Sequence, residues 1–135
     1  DIDECVQMVA TGIDSLACGI GNIHGVYPEN WKGLAFDHLQ AIADALGHDV
    51  PLVLHGGSGI PQEQIEKAIS MGISKVNVNT EFQLSFAKAT REYIEAGKDK
   101  EGKGFDPRKL LAPGVAAIVK DAEEHIDWFG SANKA

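Results

Sequence analysis

Two of the five histidines in this 135-residue chain stand apart from the rest. His24 and His55 are each followed by glycine, in Asn22-Ile23-His24-Gly25 and His55-Gly56-Gly57-Ser58-Gly59. A neutral imidazole offers a nitrogen lone pair to a metal, and a neighbouring glycine lets the backbone come close to a bound ligand. Two imidazoles converging on one point suit zinc, at roughly 2.0–2.1 Å each. A catalytic zinc takes about three protein ligands and keeps one position open, so at least one ligand must come from elsewhere. His38, His48 and His125 fall on helical patterns or helix ends and read as packed or surface residues.

The run Gly56-Gly57-Ser58-Gly59 leads towards a helix start, where free backbone N–H groups and the helix dipole favour a phosphate. Taken alone, the motif fits a ligand-free strand-to-helix turn equally well. A further polar cluster, Asn77-Val78-Asn79-Thr80, shifts the balance towards phosphate. Ser58, Asn77, Asn79 and Thr80 would then donate hydrogen bonds. Asn77 and Asn79 are two residues apart and so share one face of a strand. Their plainer role is capping of the next helix, which Thr80 alone could serve.

The elements that must position these residues follow from periodicity. Ile2, Val6, Val9 and Ala10 recur at helical spacing and Thr11-Gly12 supplies a stop. A short apolar run bounded by glycine predicts a buried strand over 14–22, followed by a loop over 25–33 that is either a lid or a plain exposed loop. Phe36, Leu39, Ile42, Ala43 and Leu46 form one face of a helix over 36–46, with Gly47 just past its end. A second strand is expected over 50–54. Pro61 opens the next helix, whose inner face holds Ile65, Ala68, Ile69 and Met71. A third strand over 75–79 and a helix over 81–96 follow, with Thr80 as N-cap. Residues 97–104 read as a mobile linker, and 105–135 as a C-terminal helical segment with its main helix over 113–129.

Strands that are continuous apolar runs, alternating with helices, indicate an α/β fold with a parallel sheet buried on both faces. A doubly wound sheet and part of a (β/α)8 barrel both fit. A full barrel takes about 250 residues, so the chain holds at most its second half. In either architecture, ligands bind beyond the carboxyl ends of the strands, where all three polar clusters fall.

The formal net charge of −8 argues against a general nucleic-acid surface. No apolar run approaches the ~18 residues of a membrane span, and no signal peptide is visible. Cys5 and Cys18 form no CxxC pair and read as reduced thiols, which places the protein in the cytoplasm. The chain lacks an initiator methionine and opens directly into a helical pattern, as expected of a chain cut or processed upstream.

The motifs GNIHG (21–25), PLVLHGGSGIP (51–61) and KVNVNTE (75–81), with FDPRKLLAPG (105–114) and the tail FGSANKA (129–135), resemble the class II fructose-bisphosphate aldolases, with tagatose-bisphosphate aldolases as close relatives. The resemblance covers nearly the whole chain. It implies a single partial domain over 1–135, the C-terminal portion of a (β/α)8 TIM barrel with parallel strands 6 to 8, and a homo-oligomer. It implies Zn2+ held by His24 and His55, and dihydroxyacetone phosphate bound by Gly25, Gly56, Gly57, Ser58 and the run Asn77, Val78, Asn79, Thr80. Arg108 matches a position that reaches the distal phosphate of a neighbouring subunit. The remaining zinc ligands and the acid/base aspartate belong to earlier strands, so no catalytic residue is assigned in this chain. Relatives often have lysine just after the tyrosine of the first loop; here Pro28 follows Tyr27, and Lys32 is the nearest substitute.

The activity so implied is reversible, zinc-dependent cleavage of a ketose 1,6-bisphosphate in glycolysis and gluconeogenesis, fructose 1,6-bisphosphate ahead of the tagatose isomer. A metal-independent phosphate-binding isomerase and a non-catalytic phosphosugar-binding barrel are the competing readings.

Overall fold

The computed structural model describes residues 1–47 and 49–134. The reading of His48 lies outside the described residues. The chain divides into two compact units, Asp1–Val78 and a second that begins at Asn79.

The first unit runs α1 (Ile2–Val9), β1 (Leu16–Ala17), α2 (Phe36–Leu46), β2 (Leu52–Leu54), α3 (Gln62–Ser70) and β3 (Ile73–Val76). The three strands form one parallel sheet in the order β1-β2-β3, with Leu16 opposite Leu52 and Leu54 opposite Val76. The expected α/β organisation and parallel pairing are therefore present.

Each helix is set by local chemistry. Asp1 caps α1 by accepting N–H bonds from Asp3 and Glu4 at 2.8 and 3.3 Å. Gly47 ends α2 in the left-handed region (φ 63°), and its N–H donates to Ala43 O. Pro61 occupies the N-cap of α3, where a missing N–H costs nothing. The core is built from α2, β2 and α3. Leu39, Ile42, Leu54 and Ile65 are fully buried together with Ile20. Each such side chain contributes about 1.5–3 kcal/mol by leaving water. Phe36 is only half-buried, and Lys67 on α3 places its Nζ 4.1 Å from the centre of its ring.

The strands differ from the expectation in extent and burial. The strand expected over 14–22 pairs only at Leu16–Ala17. Its continuation turns away because Asn22 Oδ1 accepts the Ile20 N–H at 2.8 Å while Ile20 O accepts from Ala35. The third strand covers Ile73–Val76 and not 75–79. Asn77 still donates its N–H to Leu54 O, but its carbonyl turns to Gly57, which ends the regular ladder. Asn77 and Asn79 therefore do not share a strand face. Burial on both faces holds for β2 alone; Ala17, Ser74 and Lys75 are exposed. In a sheet of three strands, only the middle one has neighbours on both sides.

The second unit holds α4 (Thr80–Glu95), a 3-10 turn (Lys98–Lys100), α5 (Pro107–Leu110) and α6 (Ala112–Trp128). Asn79, not Thr80, takes the N-cap position of α4, and no side chain caps the helix there. Residues 97–104, expected as a mobile linker, carry the 3-10 turn. Gly104 approaches the Lys98 carbonyl so closely that a Cβ would overlap it. Helices α4 and α6 meet at Gly114, where a Cβ would lie 2.5 Å from Phe86 Cδ2 and 2.8 Å from Thr90 Oγ1. His125 is buried among Phe82, Trp128 and Phe129, and its Nδ1–H donates to Asp121 O at 2.7 Å. It is a packed residue, as expected.

Gly114→Val should therefore overpack the α4–α6 crossing and destabilise the protein by about 1–3 kcal/mol. The same change at exposed Ala116 should shift stability by no more than about 0.5 kcal/mol. Urea unfolding midpoints of the two variants check this, and equal midpoints would refute the close approach.

Candidate active site

Both histidines lie beyond strand ends of the first unit, His24 after β1 and His55 immediately after β2. His24 is exposed and His55 half-buried. Their ring centres are 5.6 Å apart with the planes at 77°. Two imidazoles bound tetrahedrally to one zinc at about 2.0–2.1 Å put their ring centres roughly 5 Å apart. The separation of the rings is compatible with a shared metal position. Among the described residues, no group of three His, Cys, Asp or Glu could hold a metal ion.

The spacing of the two loops is set by backbone contact. Gly56 has φ +65°, and a Cβ there would overlap Ile23 O and stand 2.7 Å from its carbonyl carbon. The Tyr27 hydroxyl spans the same gap. It accepts the Ile23 N–H at 3.1 Å and donates to Gly56 O at 2.8 Å. Burial pushes the Tyr27 phenol above the usual tyrosine range, opposed by the N–H bond from Ile23, so at neutral pH it keeps the proton it donates. Asn22 adds a second tie, its Nδ2 donating to His55 O at 3.0 Å. Trp31 stacks at 4.3 Å on Tyr27, and its Nε1–H donates to Gly21 O at 2.8 Å. The loop over 25–33 is thus held from within by two aromatic side chains.

The remaining expected site residues fall in three groups. In the first unit, Asn77 lies against His55. Lys75 Nζ donates to Asn77 Oδ1 at 2.6 Å, which turns the amide so that Nδ2 donates to His55 Nδ1 at 2.9 Å. Ser58 is buried and Val78 half-buried. The glycines differ in what they provide. Gly57 donates its N–H to Asn77 O, and a Cβ there would strike Val76, Asn77 and Val78. Its N–H is thus engaged by Asn77, and its missing Cβ leaves room for the end of the third strand. Gly25 has φ +91° with open space where a Cβ would stand. Asn79, Thr80 and Arg108 belong to the second unit. The exposed Arg108 guanidinium is gripped by Asp106, at 2.7 Å from Nη2 and 3.1 Å from Nε, which holds the Asp106 carboxyl below the usual range.

The sequence profile of the family described as fructose-bisphosphate aldolase class-II matches residues 1–134. The chain belongs to this family. Two relatives named fructose-bisphosphate aldolase, from Streptococcus pyogenes and Mycoplasma pneumoniae, are 57% and 56% identical to it. They are covered to 47% of their length by 99% and 100% of this chain. The chain thus spans about half the length of the curated relatives it matches. The solved YdjI aldolase of Escherichia coli superposes with a TM-score of 0.78 at 35% identity, over 100% of this chain and 46% of that one.

Membership of this aldolase family agrees with the motif resemblance, yet motifs alone did not single out Tyr27, Asn22 or Lys75. Their partners lie at positions 23, 56, 55 and 77, and such cross-loop bonds leave no period or spacing in a sequence. The only signal was a polar residue beside each histidine-bearing run.

Gly56→Ala forces a side chain into the Ile23 carbonyl at positive φ and should cost at least about 2 kcal/mol. Gly12→Ala has comparable positive φ but open surroundings, and should cost only about 1–2 kcal/mol. Chemical denaturation of both variants tests the difference; a cost at Gly56 no larger than at Gly12 would remove the backbone contact as the determinant of loop spacing.

Proposed function

We propose that this chain is part of a zinc-dependent aldolase. The enzyme reversibly cleaves a ketose 1,6-bisphosphate, fructose 1,6-bisphosphate ahead of its tagatose isomer, into dihydroxyacetone phosphate and glyceraldehyde 3-phosphate. The observation that carries this reading is the pair of imidazoles 5.6 Å apart beyond neighbouring strands. The names of the relatives supply the substrate class. The chain forms the C-terminal portion of a (β/α)8 barrel, with β1, β2 and β3 as its strands 6 to 8. Three parallel strands in sequential order, and coverage of about half of each relative, support that placement.

His24 and His55 would hold the zinc, with at least one further ligand from outside the described residues. When bound, the metal supplies Lewis-acid polarisation of the substrate ketone and stabilises the negative charge that develops as the carbon–carbon bond breaks. Asn77, whose Nδ2 lies 2.9 Å from His55 Nδ1, presents a side-chain amide for a substrate oxygen; a metal on that nitrogen would take its lone pair and free the amide N–H for substrate. Its Oδ1 is held by Lys75, so the group turned towards the ring is the N–H donor. Gly25, Gly56, Gly57, Ser58, Val78, Asn79, Thr80 and Arg108 complete the proposed substrate contacts by motif match. A group elsewhere in the enzyme moves the proton.

Two free cysteines, Cys5 and Cys18, suit a reducing compartment, the cytoplasm. Burial, with Cys5 nearby, pushes the Cys18 thiol up to about 11, which keeps it protonated and unreactive. No described helix is long and apolar enough to cross a membrane. The partner is a phosphosugar, and the enzyme assembles as a homo-oligomer.

In the complete enzyme, His55→Ala should abolish stoichiometric zinc and lower kcat/KM for fructose 1,6-bisphosphate about 1,000-fold or more, the loss of several kcal/mol of transition-state stabilisation. Metal analysis and a coupled retro-aldol assay measure both. Retained zinc with near-normal cleavage would sink the assignment.

A further inference from the structure

We infer that Tyr27 is a positioning residue whose hydroxyl fixes the separation of the two imidazoles by joining the backbone just before His24 to the backbone just after His55. The inference rests on the reading of His24 and His55 as zinc ligands. A phenol hydroxyl has one proton to donate and lone pairs to accept with. Here the proton goes to Gly56 O at 2.8 Å, and a lone pair takes the Ile23 N–H at 3.1 Å. Ile23 and Gly56 are the immediate neighbours of the two histidines.

The hydroxyl therefore acts on both ligands at one covalent step's distance, without touching either ring. The contact it reinforces is already close, since Gly56 leaves no room for a Cβ beside Ile23 O. Steric contact stops the loops from approaching further, but it does not stop them from separating. The Tyr27 hydroxyl supplies the missing restraint, because parting the loops breaks both of its bonds. Its ring is in turn seated on Trp31, which is anchored to Gly21 O. Metal sites lose about 10- to 100-fold in affinity when a group that orients a ligand is removed. A backbone brace on two ligands at once belongs in that range.

The test uses the complete enzyme and zinc itself, with affinity read by competition against a chromophoric chelator. Tyr27→Phe keeps the ring on Trp31 and removes only the hydroxyl. It should raise the zinc dissociation constant about tenfold or more. With cobalt in place of zinc, it should also shift the visible d–d absorption, which reports the angle and distance of the ligands. Trp31→Phe keeps an aromatic ring under Tyr27 and removes only the Nε1–H bond to Gly21 O; it is the control for general loosening of the loop, and should leave both readouts within about twofold of the parent. His24→Ala and His55→Ala are run alongside. Loss of zinc in the histidine variants with an unchanged dissociation constant and spectrum in Tyr27→Phe overturns the role of Tyr27 alone. An equal loss in Trp31→Phe overturns it too, since the loop as a whole would then be responsible. Zinc retained in both histidine variants removes the ligand reading, and the Tyr27 inference falls with it.

Discussion

The carbonyl oxygen of Ile23 occupies the space where any side chain at position 56 would begin. Two loops leave neighbouring parallel strands and meet there, backbone against backbone. A residue with a Cβ would hold them further apart, and φ +65° at Gly56 is a conformation that L side chains avoid. The two imidazoles flank this contact, and so do the bonds made by Asn22 and Tyr27. Asn22 ties one strand end to the carbonyl of His55, while Tyr27 ties Ile23 to Gly56. The site is a consequence of how closely two main chains can pass.

That closeness needs a rigid base, which β2 provides. Leu52, Val53 and Leu54 are all buried, as are Leu39 and Ile42 on α2 and Ile65 on α3. Close-packed side chains of this kind transmit small displacements instead of absorbing them. The histidine that follows Leu54 therefore inherits a well-fixed origin. The strands on either side lack this double cover. Ala17 on β1 and Lys75 on β3 are exposed.

The helices were the most legible part of the sequence. The helix over Phe36–Leu46 and the left-handed Gly47 agree with the structure to the residue, with only Phe36 of the apolar face left half-buried, because helical period and glycine chemistry act locally. Pro61 marked the start of α3 for the same reason. Strand limits were less legible. Apolar content extends through Ile20, but the Asn22 side chain competes for its N–H and ends the ladder. No hydrophobic pattern records that competition. The third strand was displaced towards its polar end, where Asn77 bonds to Gly57 across the sheet. Within the site, the histidines could be found because each stands at a strand end before glycine. What the sequence did not show at Gly57 is the space that its missing Cβ leaves and the bond from its N–H to Asn77 O.

Trp31 and Trp128 are the two tryptophans of the chain, and they fall one in each compact unit. Their surroundings are chemically distinct. Trp31 packs on the Tyr27 ring at 4.3 Å, whereas Trp128 packs on the His125 imidazole at 4.7 Å. Each unit thus carries its own intrinsic fluorophore. A protein with only Trp31 reports the integrity of the histidine-bearing loops, and one with only Trp128 reports the helical unit. The two single-tryptophan proteins make the melting of the histidine-bearing unit and of the helical unit separately visible.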